Sequence, residues 1–214
     1  MTIASLPKRP RGRPAKNGAD YADTRAVLVR AGMETLTEHG LNAGTLDIVL
    51  TRTGIPKGSF YHYFENKNAF VDAALTSYAG YFGSKLARHF AAGDSPALLR
   101  LQAFIDDAAD GMARHEFRRG CLVGSLGQEV SSLDEALRAR LEQIFKDWEL
   151  SLTQCLLDGV RRGEIDPMAD CPALAHAFWV GWEGAILRAR LTRSAGPLRA
   201  FASLFFRAVP RPPR

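Results

Sequence analysis

An all-α fold in two parts is expected: a small N-terminal unit of three helices built around a helix-turn-helix, then a larger helical unit. Three observations lead to it. Apolar residues recur three and four apart along most of the 214 residues, the spacing of one helix face. Gly and Pro fall at the ends of those runs rather than inside them. No segment alternates apolar and polar residues as a half-buried strand would, and no internal repeat is visible.

The first helix is expected over Asp23 to His39, with Val27 or Leu28, Ala31 and Leu36 inward and Gly40 closing it. The second begins at Thr45, whose hydroxyl stands where it could cap a free backbone N–H, and buries Leu46, Val49 and Leu50. Gly54 ends that helix, Ile55 turns inward, and Pro56 prevents continuation. A stubby third helix over Lys57 to Phe64 is anchored by Phe60 and Phe64, one turn apart. Asn66 caps a fourth helix starting at Lys67, whose Phe70, Ala74, Tyr78, Tyr81 and Phe82 form an apolar stripe toward Phe90. Gly93-Asp94-Ser95-Pro96 makes a turn that opens, with proline in the first helical position, a helix to about Arg114. A short helix follows from Cys121 to about Val130. The helix from Asp134 to about Arg162 carries Leu137, Leu141, Ile144, Trp148, Leu152 and Leu156 near heptad spacing. Pro172 starts another helix, to about Thr192, and Pro197 starts the last, to about Arg207. The expected divisions are a basic arm over 1–19, the helix-turn-helix unit over 20–66, the larger helical unit over 67–209 and a tail over 210–214.

The hydrophobic content of 46% is that of a soluble globular protein, and no apolar run is long enough to span a bilayer. No apolar stretch follows the N-terminal cations as a secretion signal requires, so a cytoplasmic location is expected. Cys121, Cys155 and Cys171 cannot all pair within the chain and show no metal-ligand spacing with the histidines; reduced thiols, no metal and no cofactor are expected. The net charge of +5 is localised: Lys8, Arg9, Arg11, Arg13 and Lys16 all precede the first acidic residue, Asp20, so residues 20–214 sum to zero. With Pro7, Pro10, Gly12 and Pro14 among them, this arm cannot form a regular helix and should be mobile without a partner. Pro10-Arg11-Gly12-Arg13-Pro14 resembles the core of an AT-hook, in which Arg11 and Arg13 lie in a narrow minor groove. A solvated tail adding only sequence-independent attraction is the alternative.

In the third helix, anchoring by Phe60 and Phe64 leaves Lys57, Gly58, Ser59, Tyr61, His62 and Tyr63 for the exposed face and the flanks. Such a face can enter a major groove, although aromatic runs in most proteins are core. The segment from about Asp23 to Leu75, with its run KGSFYHYFENK, resembles the DNA-binding domain of the TetR family of transcriptional repressors. The resemblance implies that Lys57, Gly58 and Tyr61 face base edges or the thymine methyl, while Thr45, Tyr63 and Lys67 hold phosphates. It also implies a homodimer on a palindromic double-stranded DNA operator, joined through the last two long helices. Gly181, Ala185 and Ala189, spaced by four, would let another helix approach closely, from the same chain or from a second copy.

For the larger unit, Cys121 follows Arg118, Arg119 and Gly120 and opens a short helix. Nearby cations and a helix N-terminus favour thiolate over thiol, so the sulfur could add to an α,β-unsaturated carbonyl or be oxidised, and the same positive site could hold a carboxylate without reaction. A buried, inert thiol is the alternative, and is the reading for Cys155 and Cys171. The stretches over 111–129 and 178–191 resemble a TetR subgroup that responds to acrylate and reactive electrophiles, which implies a small-molecule inducer that releases DNA. That subgroup carries a lysine where this chain has Arg190, which disfavours a cysteine–lysine switch and leaves carboxylate binding. Trp179, Trp182 and Glu183 are further ligand candidates, with Arg188, His115 and Gln128 behind them; core packing or plain surface charge is the alternative for each. An enzyme with Cys121 as nucleophile lacks any recognisable base arrangement, so none is expected.

Overall fold

The computed structural model describes residues 18–41, 44–129 and 135–212; Arg11, Arg13 and the rest of the arm before residue 18 lie outside them, as do Val130 and Asp134. Among the described residues all regular structure is helical: α1 Gly18–His39, α2 Thr45–Thr53, α3 Lys57–Phe60, α4 Lys67–Phe90, α5 Ala97–Arg114, α6 Leu122–Gly127, α7 Glu135–Arg161, α8 Cys171–Thr192 and α9 Gly196–Ala208.

The first three helices enclose a small core of Leu28, Leu36, Val49, Leu50, Phe60 and Phe64, closed from below by Phe70 and Val71 of α4. Leu28 rather than Val27 takes the inward place; Val27 stays exposed. Gly54 has φ +65 after the last turn of α2, a left-handed conformation that strains any residue with a Cβ. The extended backbone of Pro56 then starts α3. Thr45 does not cap α2 as expected. Gly44 is the N-cap, and the Thr45 hydroxyl donates 2.8 Å to the Gly40 carbonyl, stapling the α1–α2 turn from inside.

The third helix is also shorter than its spacing predicts. Regular α-helix stops at Phe60, because the chain tightens into bonds from His62 N to Ser59 O and from Tyr63 N to Phe60 O. The tightened turn is held from α1, where the Tyr21 hydroxyl donates 3.0 Å to the His62 carbonyl and its ring lies 4.7 Å from that of Tyr63. Phe60 and Phe64 remain the anchors, with ring centroids 5.3 Å apart and Phe70 edge-on to both.

Asn66 caps α4 as expected, accepting from Ala69 N at 2.9 Å. This helix runs from the N-terminal unit into the larger one, where it packs on α5 and α7. Pro96 is the N-cap of α5 rather than its first residue. In α7 the heptad pattern works: Leu141, Ile144, Trp148, Leu152 and Leu156 are buried. An aromatic cluster of Phe82, Phe104, Trp148, Phe178, Trp179 and Trp182 fills the space between α4, α5, α7 and α8. The buried Arg100 ties three helices together, donating to the Phe90 and Ala91 carbonyls ending α4 and to Asp158 of α7.

The stripe of small residues on α8 serves its own chain. A Cβ at Gly181 would collide with the Phe201 ring of α9, and Ala185 and Ala189 are buried. The outward face of α8 carries Ala177, Val180, Gly184, Leu187 and Leu191, alternately three and four apart, and α9 adds the exposed Leu204.

Candidate functional site

Two surfaces carry chemistry. The first is the exposed side of α3. Lys57, Gly58, Tyr61 and His62 are exposed, Ser59, Tyr63 and Lys67 half-buried, and Tyr61 shows 54% of its surface. A Cβ at Gly58 would meet nothing, so the backbone there is open to close approach. Lys57 Nζ sits 3.2 Å from Asp47 Oδ1 on α2, a solvent-exposed pair that a polyanion can displace at little cost. Thr45 departs from this surface: its side chain is 1% exposed and its hydroxyl is committed to Gly40. The half-buried Ile48 is not part of a polar surface.

The second is a cavity of about 550 Å³ where the two units meet, with walls from α1, α4, α5, α8 and the segment before α6. Cys121, Trp182, Tyr78, Phe82, Met33 and Met112 make its less polar lining, and Lys85, Arg88, Arg114, His115 and Arg119 bring positive or titratable groups to it. Lys85 is buried, with Nζ 3.1 Å from Asp107 Oδ2, which His89 Nε2 also approaches to 3.1 Å. Burial pushes the Asp107 carboxyl upward, but the bonds from His89 and Lys85 outweigh it and hold the group below its usual range.

Cys121 forms part of the cavity wall, but not as a thiolate. It caps α6, its sulfur accepting from Gly124 N at 3.4 Å, and burial together with the neighbouring Glu183 carboxyl raises the thiol well above its usual pKa. The expectation of thiolate from nearby cations is thereby corrected, because those cations point elsewhere. Arg118 is exposed and lies 3.5 Å from Glu116, away from the cavity. Arg119 turns to α1, with Nε 2.6 Å from Glu38 Oε1 and Nη2 3.0 Å from Glu34 Oε2.

Glu183 lies behind the cysteine. Burial lifts its carboxyl to about 7, partly offset by the Cys121 hydrogen bond, and its Oε1 is buried without a partner among the described residues. A Cβ at Gly124 would collide with this carboxylate, so a side chain there would have to push Glu183 out of its present place. Tyr78 of α4 completes the group: burial, then the adjacent Cys121, raises its hydroxyl pKa, and the hydroxyl bonds the sulfur and the Leu122 backbone. Trp179 is core, outside the cavity, with its buried Nε1 unpartnered among the described residues. Arg190 is also outside the cavity: it donates 3.3 Å to Ser125 Oγ and 3.3 Å to the Glu38 carbonyl.

Of the ligand candidates, the cavity therefore gathers Cys121 and Trp182 with Glu183 behind them, and leaves Arg118, Trp179 and Arg190 outside. His115, a weaker candidate, lines it. Lys85 and Tyr78 were missed, and Arg119 was expected only as a cation beside Cys121, without its grip on α1. A lysine continuing the stripe of Tyr78 and Phe82 was the available signal for Lys85; nothing local singled out Arg119 over Arg118.

The cavity also connects mechanically to the first surface. Glu38, held by Arg119, accepts 2.6 Å from Arg52 Nη2 of α2. Burial raises the Glu38 carboxyl, but the two arginines outweigh it and bring it to about 2. Glu129, after α6, accepts from Leu41 N through both oxygens, at 3.1 and 2.9 Å.

A helix-turn-helix with an open recognition face, joined through a shared helix to a helical unit holding a cavity, defines a DNA-binding regulator. The pattern of the bacterial regulatory proteins of the tetR family matches residues 28–74, and that of the tetracyclin repressor-like C-terminal domain matches residues 97–205. The chain is 44% identical over 207 residues to the transcriptional regulator AcuR of Cereibacter sphaeroides, covering 96% of this chain and 94% of that protein. It is 28% identical over 176 residues to the transcriptional repressor NemR of Escherichia coli K12, covering 82% and 88%. A crystal structure of a regulatory protein TetR from Rhodobacter sphaeroides superposes with a TM-score of 0.82 at 43% identity, covering 87% of this chain and 98% of that one. The chain belongs to the TetR family and is a transcriptional repressor of that family. Such regulators bind DNA and generally dimerise. Among the described residues no helix is long and apolar enough to cross a membrane.

Proposed function

We propose that two copies of this chain bind a palindromic operator and release it when a small carboxylate, of the acrylate class, enters the cavity between the two units. On the DNA, Lys57, Gly58 and Tyr61 read base edges, Ser59 and His62 flank them, and Tyr63 and Lys67 hold phosphates. The phosphate role expected of Thr45 passes from its enclosed hydroxyl to the first turn of α2, where backbone N–H groups favour an anion. Arg11 and Arg13 add minor-groove contacts from the arm. The outward stripe on α8, with Leu204 of α9, supplies the dimer contact and so the spacing of the two readers.

One observation carries this reading: Arg119 stands in the cavity wall and grips Glu34 and Glu38 of α1, and Glu38 grips Arg52 of α2. A ligand carboxylate that draws Arg119 toward itself loosens the hold on the reader. Lys85, with Asp107 as its present counter-ion, is the second anchor, while Trp182, Phe82 and Met112 enclose the hydrocarbon end. The ligand must favour the DNA-incompetent arrangement over the competent one, since equal affinity for both would shift nothing. Fluorescence anisotropy of a labelled operator tests it: acrylate, propionate and acetate are titrated into the complex. Release by acrylate at concentrations where acetate has no effect is expected, and operator binding indifferent to all three overturns the reading.

The position of Cys121 in the same wall favours a second mode, in which an unsaturated ligand is held first by its carboxylate and then bonded to sulfur.

A further inference from the structure

The buried thiol of Cys121 poses a chemical problem. Burial and a neighbouring carboxyl hold it as S–H, and only the thiolate is a competent nucleophile. Yet it lies in a cavity wall, and directly behind it the Glu183 carboxyl touches the sulfur while its Oε1 remains buried with no partner among the described residues. An orphaned buried carboxylate oxygen is costly, and Gly124 keeps room for it.

We propose that Glu183 is the proton acceptor and donor that makes Cys121 reactive toward α,β-unsaturated carbonyl compounds. This rests on the reading that the cavity admits such compounds. In the addition the S–H proton passes to the Glu183 carboxylate, and the sulfur forms a bond to the β-carbon. The π pair of the C=C bond moves to the α-carbon, which then takes the proton back from Glu183. A saturated thioether results, Glu183 returns to its starting state, and no oxidant or further reactant is needed. A carboxyl at about 7 leaves a substantial fraction in the basic form at neutral pH, where an ordinary carboxylate would be a far weaker base. The other ionisable groups lining the cavity are Tyr78, Tyr81, Lys85 and Arg88 from α4, Glu34 from α1, Asp107 and Arg114 from α5, and His115 and Arg119 before α6; of these, Tyr78 is the one that bonds the sulfur. Lys85 and Arg119 are committed to carboxylates, and the Tyr78 hydroxyl stays protonated at neutral pH, which leaves Glu183 as the base in contact with the thiol.

The test uses the full chain with methyl acrylate, which has no carboxylate of its own, and follows adduct formation at Cys121 by intact mass and peptide mapping between pH 5.5 and 8.5. The wild-type rate should rise through about pH 7 and level off, which is where Glu183 loses its proton. Glu183→Gln should react about 100-fold more slowly at pH 7.5 and lose the inflection near 7, in keeping with the general acid–base contribution of roughly 10²–10⁴. Glu183→Asp should retain the inflection at reduced rate, and it serves as the deciding variant if the glutamine form does not fold by circular dichroism. A Glu183→Gln protein that reacts at the wild-type rate with the wild-type pH profile overturns the inference. So does a wild type that forms no adduct at Cys121, even where acrylate still releases the operator; that result leaves the proposed ligand response standing and removes only the covalent step.

Discussion

Glu183 shows how one buried carboxyl trades stability for chemistry. Its pKa rises from 4.5 to about 7 on folding, so the folded protein holds this proton more tightly than the unfolded chain does. Its contribution is most favourable below pH 4.5 and is lost as pH rises through about 7. Glu183→Gln should therefore be more stable than wild type at pH 8, by up to about 3 kcal/mol, with the advantage gone at pH 4. Urea unfolding at the two pH values measures it; equal midpoint differences at both would show that burial does not perturb the group. Tyr61 stands at the opposite extreme, exposed at the C-cap of α3 with its ring edge-on to that of Phe60. Tyr61→Ala should leave stability unchanged and weaken operator binding by about 1–3 kcal/mol, with the loss confined to particular base pairs in a set of operator variants.

Helix against helix, two charge clusters matter for different reasons. Arg100 and Asp158 are buried between α4, α5 and α7. Asp158→Ala leaves the guanidinium buried with carbonyls alone as partners and should cost about 3–5 kcal/mol in chemical unfolding. The cluster of Arg119, Glu34, Glu38 and Arg52 lies at the junction of the two units and is partly exposed, so its part in stability is small and its part in coupling larger. Arg119→Ala removes the hold on α1 outright and should weaken operator binding about tenfold without ligand and blunt any further release on adding ligand, within the usual 1–3 kcal/mol of coupling energies. A ligand response identical to wild type in the same anisotropy titration would remove Arg119 from the path. Glu38, depressed to about 2, supports this junction fully above pH 4.5 and loses it as pH falls toward 2, so neutral-pH binding should be insensitive to its titration.

For the complete repressor, the dimer contact proposed on the outward stripe of α8 would set the separation of the readers. Leu187→Glu places a charge in the middle of that stripe and should convert the dimer to monomer in sedimentation velocity while leaving the helical signal intact. Operator affinity should fall with it, because one reader contacts only half of a palindrome. A variant that stays dimeric would move the interface elsewhere.

How much of this was legible in the chain follows from the range over which each cause acts. Helix positions were readable to within a few residues along most of the chain, because apolar spacing, Asn66, Gly54 and the prolines act over one or two turns. The all-α class and the exposed face of α3 followed from the same local rules, with Phe60 and Phe64 as its anchors. Thr45 and the length of α3 escaped them because the carbonyl of Gly40, just past α1, and the Tyr21 hydroxyl compete for the same groups. The cavity chemistry escaped almost entirely: Arg118 and Arg119 are neighbours in sequence, yet one faces solvent and the other grips α1. Charges adjacent to Cys121 in the chain made a thiolate plausible, whereas burial and a carboxyl 62 positions later made it a thiol. Local propensity and periodicity depend on near neighbours and are written in order along the chain; burial, pKa and the partners of a charge depend on which distant helices meet, and only packing supplies them.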